Sequence, residues 1–311
     1  MIKKNFKSIA GVTLIEMLIG VVVSSIMMAA IYSTYSIVNT TYGQVLEKAK
    51  VSRSSRDLIE LLIRDTRMAG FKYYLGDNDS DYPKESYLEY IGGATTVKES
   101  HDPIVIIPNQ LGHSIEDTVS TPPPKHNPND TCCDKIHIVY DDFDQNDETQ
   151  PYKRYKLTYF ARPLDDGLDS DGNIINGRYG IYKSKISWRQ AIGQDTGSWV
   201  ADCSECYHDE LIRDYVEDME FVALDKNGKV LNPYPNTTSI ESRNNLYKVR
   251  AIDIRIAFIS EKPFFRFEST QGKERQLTGF SRTIRSFSDR NLRDNVVVTV
   301  YTRNIVGQDI F

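Results

Sequence analysis

The sequence predicts an α+β protein: a long N-terminal α-helix, membrane-spanning in its first half, packed on a large antiparallel β-rich head. Three observations carry this. No side chain from Met17 to Leu46 is charged. Helical spacing then continues to Ala69, with no proline before Pro83. After Gly70 the pattern changes to short apolar runs separated by turn-rich segments. The composition agrees: 40% hydrophobic residues over 311 positions supply a folded core, and a mean hydropathy of -0.44 excludes a multi-span membrane protein. A net charge of -5 does not suggest a general polyanion binder. Four cysteines are too few to build the fold from disulfides.

The helix is justified from its start. Residues 1–11 carry Lys3, Lys4 and Lys7 and no acid. The uncharged run of 30 residues that begins at Met17 would be roughly 45 Å long as a helix, against about 30 Å of bilayer hydrocarbon. The basic flank precedes the span, so residues 1–11 stay cytoplasmic and the rest of the chain is sent across the membrane. Glu16 is a lone carboxylate early in this helix, and is costly there unless something neutralises it. Beyond the span, Tyr35, Val38, Tyr42, Val45, Ala49, Ser52, Arg56, Ile59 and Leu62 or Ile63 recur at spacings of three and four. Gly70 reads as the helix stop.

The string GVTLIEMLIG at Gly11–Gly20 resembles the cleavage and methylation site of type IV prepilins and type II secretion pseudopilins. Val12 stands where those families more often have Phe or Met. The resemblance implies that a prepilin peptidase cuts between Gly11 and Val12 and methylates the new N-terminus. It also implies that Glu16 serves subunit assembly, by pairing with the amine of a neighbouring subunit. The domain division is then 1–11 leader, 12–40 transmembrane half of the helix, 41–70 amphipathic half and 71–311 extracytoplasmic head. Leader removal takes away three lysines and no acid, lowering the formal charge from -5 to -8.

In the head, the candidate strands are Ile104 to Ile107, Ile136 to Tyr140, Tyr152 to Phe160, Tyr179 to Ile186, Val216 to Leu224, Val249 to Ile259 and Val296 to Thr302. Clustered prolines between Leu111 and Asp134 predict a long surface loop. RDTRMAGF at Arg64, GIYKS at Gly180, YVEDMEFVALDKNGK at Tyr215 and VTVYTRN at Val298 resemble stretches of PilW-type minor pilins, with the pseudopilin GspJ as nearest cousin. That likeness implies a filament subunit, not an enzyme, held in the cytoplasmic (inner) membrane with its head in the periplasm and later in a surface pilus. Its implied partners are prepilin peptidase, other minor and major pilins and the inner-membrane assembly platform. Adhesion, motility and DNA uptake are the outputs such pili serve. The alternatives are a J-like pseudopilin in protein export and a calcium-dependent binding head carried on a filament.

Four further constellations stand apart from that likeness. Cys132, Cys133, Cys203 and Cys206 have the layout of two close zinc-ligand pairs, but an oxidising compartment favours disulfides. Those expected join Cys132 or Cys133 to the Cys203/Cys206 loop, or Cys203 to Cys206, because adjacent cysteines bridge each other poorly. Two loops are acidic, one with Asp141, Asp142, Asp144, Asp147 and Glu148, the other with Asp165, Asp166, Asp169, Asp171 and Asn173. Asp165, Asp169, Asp171 and Asn173 form the candidate calcium site, an incomplete match to a calcium-binding loop; no cofactor is otherwise required. Arg282, Arg285, Arg290, Arg293 and Arg303, interleaved with Phe280, Phe287 and Tyr301, offer a DNA-binding pattern. The reading preferred for them is an exposed strand edge or a docking face for another acidic subunit. His101, His113, His126, His137 and His208 have no metal-protease spacing, and no nucleophile elbow or P-loop occurs.

Overall fold

The computed structural model describes residues 12–71, 102–109, 132–143, 145, 152–164, 178–190, 197–265, 275–277, 285–287 and 289–305. The chain divides into two units, Met1–Ala49 and Lys50–Phe311. Helix α1 (Leu14–Met68) contributes to both.

In the first unit the large apolar side chains from Leu14 to Leu46 are exposed. Among the described residues, α1 is the one helix long and apolar enough to cross a membrane. Ser24, Ser25, Thr34, Thr40 and Thr41 each donate their hydroxyl to the carbonyl four residues back, at 2.7–2.9 Å. These hydroxyls therefore need no water partner, which lets the helix face lipid or other helices.

The second unit is built on an antiparallel sheet. Its strands are β1 (Ile104–Ile107), β2 (Lys135–Phe143), β3 (Tyr152–Pro163), β4 (Tyr179–Gln190), β5 (Gly197–Val200), β6 (Tyr207–Leu224), β7 (Ala251–Ile259) and β10 (Arg293–Tyr301). They run in the order β1-β2-β3-β4-β6-β7-β10, with β5 beside β4. Strands β8 (Arg275–Leu277) and β9 (Arg285–Phe287) form a separate pair. A short helix, α2 (Ile240–Leu246), lies between β6 and β7, and the Ser239 hydroxyl caps it by accepting from the Ser242 amide at 3.1 Å.

Alternation with a period of two assembles the core. Ile136, Ile138 and Tyr140; Tyr155, Leu157 and Tyr159; Met219, Phe221 and Ala223; and Ile252, Ile254, Ile256 and Phe258 all point into one cluster. From α1, Val51, Leu58, Ile59 and Leu62 join them, as does Ala69 just past its end. The buried row on this part of the helix is Val51, Ser55, Leu58, Leu62, Asp65 and Ala69. That corrects the expected stripe, in which Ala49 and Arg56 were core-facing and Asp65 was not; Ala49 and Arg56 are exposed. The residues of the opposite alternation pair charges across strands. Arg154 on β3 binds its register partner Asp141 on β2 at 2.8 Å, and Arg255 on β7 binds Glu220 at 2.8 Å and also Asp218. All five of these side chains are buried.

The end of α1 is locked to the sheet. Gly70 has φ +74°, the left-handed conformation of a helix stop, as its position predicted. Its amide donates to the Val139 carbonyl at 2.8 Å, and the Asp141 amide donates to the Phe71 carbonyl at 2.9 Å. Asn304, just beyond β10, donates to the Arg67 carbonyl at 2.8 Å. Strand β6 begins nine residues earlier than expected. Its first half, YHDELIRDY, pairs with β4 through register shifts, and Asp209 and Tyr215 have positive φ. The second half pairs with β7, so this one strand joins the two parts of the sheet.

Candidate functional site

The helix start is the first candidate. Thr13 and Glu16 form a reciprocal cap: the Thr13 amide and hydroxyl donate to Glu16 Oε2 at 2.9 and 2.8 Å, and the Glu16 amide donates to Thr13 Oγ1 at 3.3 Å. The spacing Thr-x-x-Glu is the sequence signal for such a cap, and the reading of Glu16 as a pairing partner alone passed over it. The cap turns the carboxylate toward the helix N-terminus, where the helix dipole favours negative charge. Val12, two residues before the helix, is exposed. Gly11 lies outside the described residues.

The second candidate is a polar cluster in the head. Asp65 on α1 accepts from Lys183 Nζ at 2.7 Å, from the Tyr159 hydroxyl at 2.5 Å and from Arg64 Nε at 3.2 Å. The Asp65 and Lys183 side chains are 6% and 7% exposed. Lys183 also stands over the rings of Tyr159 and Tyr207, at 5.4 and 5.9 Å. Burial lowers the pKa of Lys183, against the opposing pull of Asp65. Burial, then the Asp65 charge, raises the Tyr159 and Tyr207 hydroxyls, so both stay protonated. Next along β4, Lys185 binds Glu205 at 2.5 Å and lies 3.9 Å from the centre of the Tyr155 ring. The arrangement holds helix to sheet through charge. Asp65 was not anticipated, although a carboxylate in a helix turn between Leu62 and Ala69 was the signal for it.

The cysteines require a correction. Cys203 is joined to Cys206, one of the expected pairings, with Cα atoms 5.0 Å apart. Cys132 and Cys133 are joined to each other and not to the Cys203/Cys206 loop. Both are fully buried in the main core, where neither sulfur needs a distant partner. Cys132, Cys133 and Asp218 bring potential metal-ligand atoms within 4.8 Å of one another. The sulfurs are spent on each other and Asp218 is held by Arg255, which leaves that group a structural role.

Of the acidic loops, Asp141 is buried in its Arg154 pair on β2, and Asp142 accepts from the Phe143 amide at 2.8 Å. Asp165, Asp169, Asp171 and Asn173 lie outside the described residues. Among the C-terminal arginines, Arg293 pairs with Glu217 and with Asp289, and stacks 3.6 Å from the centre of the Phe287 ring. Arg290 donates to the Phe265 carbonyl at 2.9 Å. These two are therefore engaged in the fold; Arg282 and Phe280 lie outside the described residues. His137 bonds Thr158 at 2.8 Å on the sheet.

Residues 6–32 match the family model of the prokaryotic N-terminal methylation motif. No curated protein matches the chain. Among solved structures, it is similar to a type IV-like pilin from Thermus thermophilus, at 11% identity, over 58% of this chain and 82% of that one, with a TM-score of 0.27. The chain carries an N-terminal methylation motif at the head of a long helix that leads into a large antiparallel sheet.

Proposed function

We propose that this chain is a minor subunit of a type IV pilus, of the PilW type, cut by prepilin peptidase between Gly11 and Val12 and N-methylated. The observation that carries the reading is the methylation motif over residues 6–32, set on a helix whose apolar side chains stay exposed as far as Leu46. An exposed apolar run of that length is unstable in water and needs lipid or other helices around it. Membrane storage meets that need before assembly, and packing among other pilin helices meets it in the filament. The head then resides in the periplasm and afterwards at the cell surface.

Once Val12 is the N-terminus, its amine sits within one helical turn of Glu16, and the carboxylate can leave the Thr13 cap for the amine of a neighbouring subunit. The polar cluster of Asp65 and Lys183 has a supporting role, fixing the helix on the head so that pull on one reaches the other. No catalysis is assigned to the head. Incorporation draws on the assembly platform and on other pilins.

The test is the N-terminal sequence and mass of the chain from membranes and from sheared surface filaments. A methylated chain starting at Val12 in the filament fraction is expected, and Gly11→Ala should leave full-length precursor in the membrane. An unprocessed chain starting at Met1, absent from filaments, would overturn the reading. Glu16→Ala should spare cleavage and impair incorporation.

A further inference from the structure

The exposed face of α1 in the head carries a row of predominantly positive charge. With about 100° per residue, Val51, Ser55, Leu58, Leu62 and Ala69 lie on the buried side, and Arg53, Arg56, Glu60, Arg64 and Arg67 lie opposite them. All five of the latter are exposed, as is Asp57 at the margin. The row from Arg53 to Arg67 is roughly 21 Å long. Arg64 leans on Asp65, whose charge is also met by Lys183. Among the described residues, no carboxylate pairs with Arg53, Arg56 or Arg67. Four guanidinium groups thus face outward against Glu60 and Asp57, on a protein whose whole chain is acidic.

We infer that this row is a docking surface for an acidic helical segment of a different subunit, and that it opposes face-to-face pairing with a second copy of this chain. The inference rests on the filament reading above. Charge complementarity names the occupant: four cations along one straight line match carboxylates repeated at helical spacing, and bidentate arginine binding rewards that match. A second copy docked through this same face would bring arginines against arginines, and like charges across an interface reject the wrong partner. Glu60, in the middle of the row, calls for a partner that sets a cation opposite it, which a helical segment can do and a phosphate backbone cannot. There is also no aromatic side chain between Arg53 and Arg67 for a base to stack on. Such a surface suits a subunit that occupies single positions among unlike neighbours.

The experiment places a photo-crosslinking amino acid at position 57 of the full chain in cells that make it, and identifies the attached peptide by mass spectrometry. A single acidic segment of a non-identical subunit is expected. The yield should fall roughly fivefold or more in the R53E/R56E/R67E variant and persist when the three arginines become lysines. Lysine substitutions on the captured segment should restore the yield with R53E/R56E/R67E. A crosslink to a second copy, to a segment that is not acidic or to a nuclease-sensitive species would overturn the inference. So would a yield indifferent to charge reversal, or no crosslink from chain recovered in filaments. The N-terminus of the same recovered chain is read in parallel. Processing at Val12 with no acidic partner sinks only the docking surface, whereas an unprocessed chain sinks the filament reading as well.

Discussion

Replacing Asp65 by Ala should remove more stability than any single surface change in the head. Asp65 is buried and answers three donors, of which Lys183 is equally buried, at 2.7 Å. Deleting the carboxylate strands an ammonium group away from water, and breaking a buried pair in this way costs about 3–5 kcal/mol. With a urea slope of about 2–3 kcal/mol/M for a domain of this size, the midpoint should drop by roughly 1–2.5 M. The assay is urea unfolding of the full chain in detergent, followed by tryptophan fluorescence. Both tryptophans, Trp188 and Trp199, face each other on β4 and β5, so the signal reports on the head alone. Adding Lys183→Met to Asp65→Ala should return a large part of the loss, because the stranded charge is gone. A loss below about 1 kcal/mol for Asp65→Ala, the range of an exposed pair, would refute the claim that this cluster clamps the helix to the sheet.

Three further outcomes are expected. Gly70→Ala should destabilise the head by about 1–2 kcal/mol, since φ is +74° and a Cβ there would lie 3.0 Å from the Ile305 side chain; an unchanged midpoint would contradict the clamp at the helix end. Burial first, then Lys156 and Lys135, holds His137 well below its ordinary pKa. The unfolded chain therefore binds a proton that the folded chain refuses, and stability should fall as pH drops below about 6.5. His137→Asn should flatten that slope, and an identical slope in both proteins would assign it elsewhere. Finally, alkylation of the denatured, unreduced chain should label none of its four cysteines. Labelling of Cys132 and Cys133 alone would leave Cys203–Cys206 as the only bridge.

Much of this protein was legible in its sequence, because its strongest signals are local. Basic residues, a glycine and a lone carboxylate, in that order ahead of an uncharged run, mark residues 1–16 without reference to any other part of the chain. The helix came out as Leu14–Met68, closed by a left-handed Gly70, because helical periodicity and a glycine stop are read residue by residue. The same holds for β1, whose four apolar residues form an isolated run. The polar first half of β6 escaped because its alternation is not apolar, and it is held by pairing with a distant strand. Strand β5 escaped for a similar reason, since Trp199 becomes part of a sheet only opposite Trp188.

The sequence by itself determined the long helix, seven of the described strands, the place of the membrane-competent segment and the N-terminal methylation motif, since each depends on neighbours within a few turns. Only the tertiary structure decided the rest. It rotated the buried side of the helix to Val51, Leu58 and Leu62, so that Asp65 met Lys183 and the arginines faced outward. It also joined Cys132 to Cys133 and set Arg255 between two buried carboxylates. Those contacts join residues far apart in the chain or choose among equally short local options. Packing of the whole sheet against one helix face makes that choice, and no window of sequence contains it.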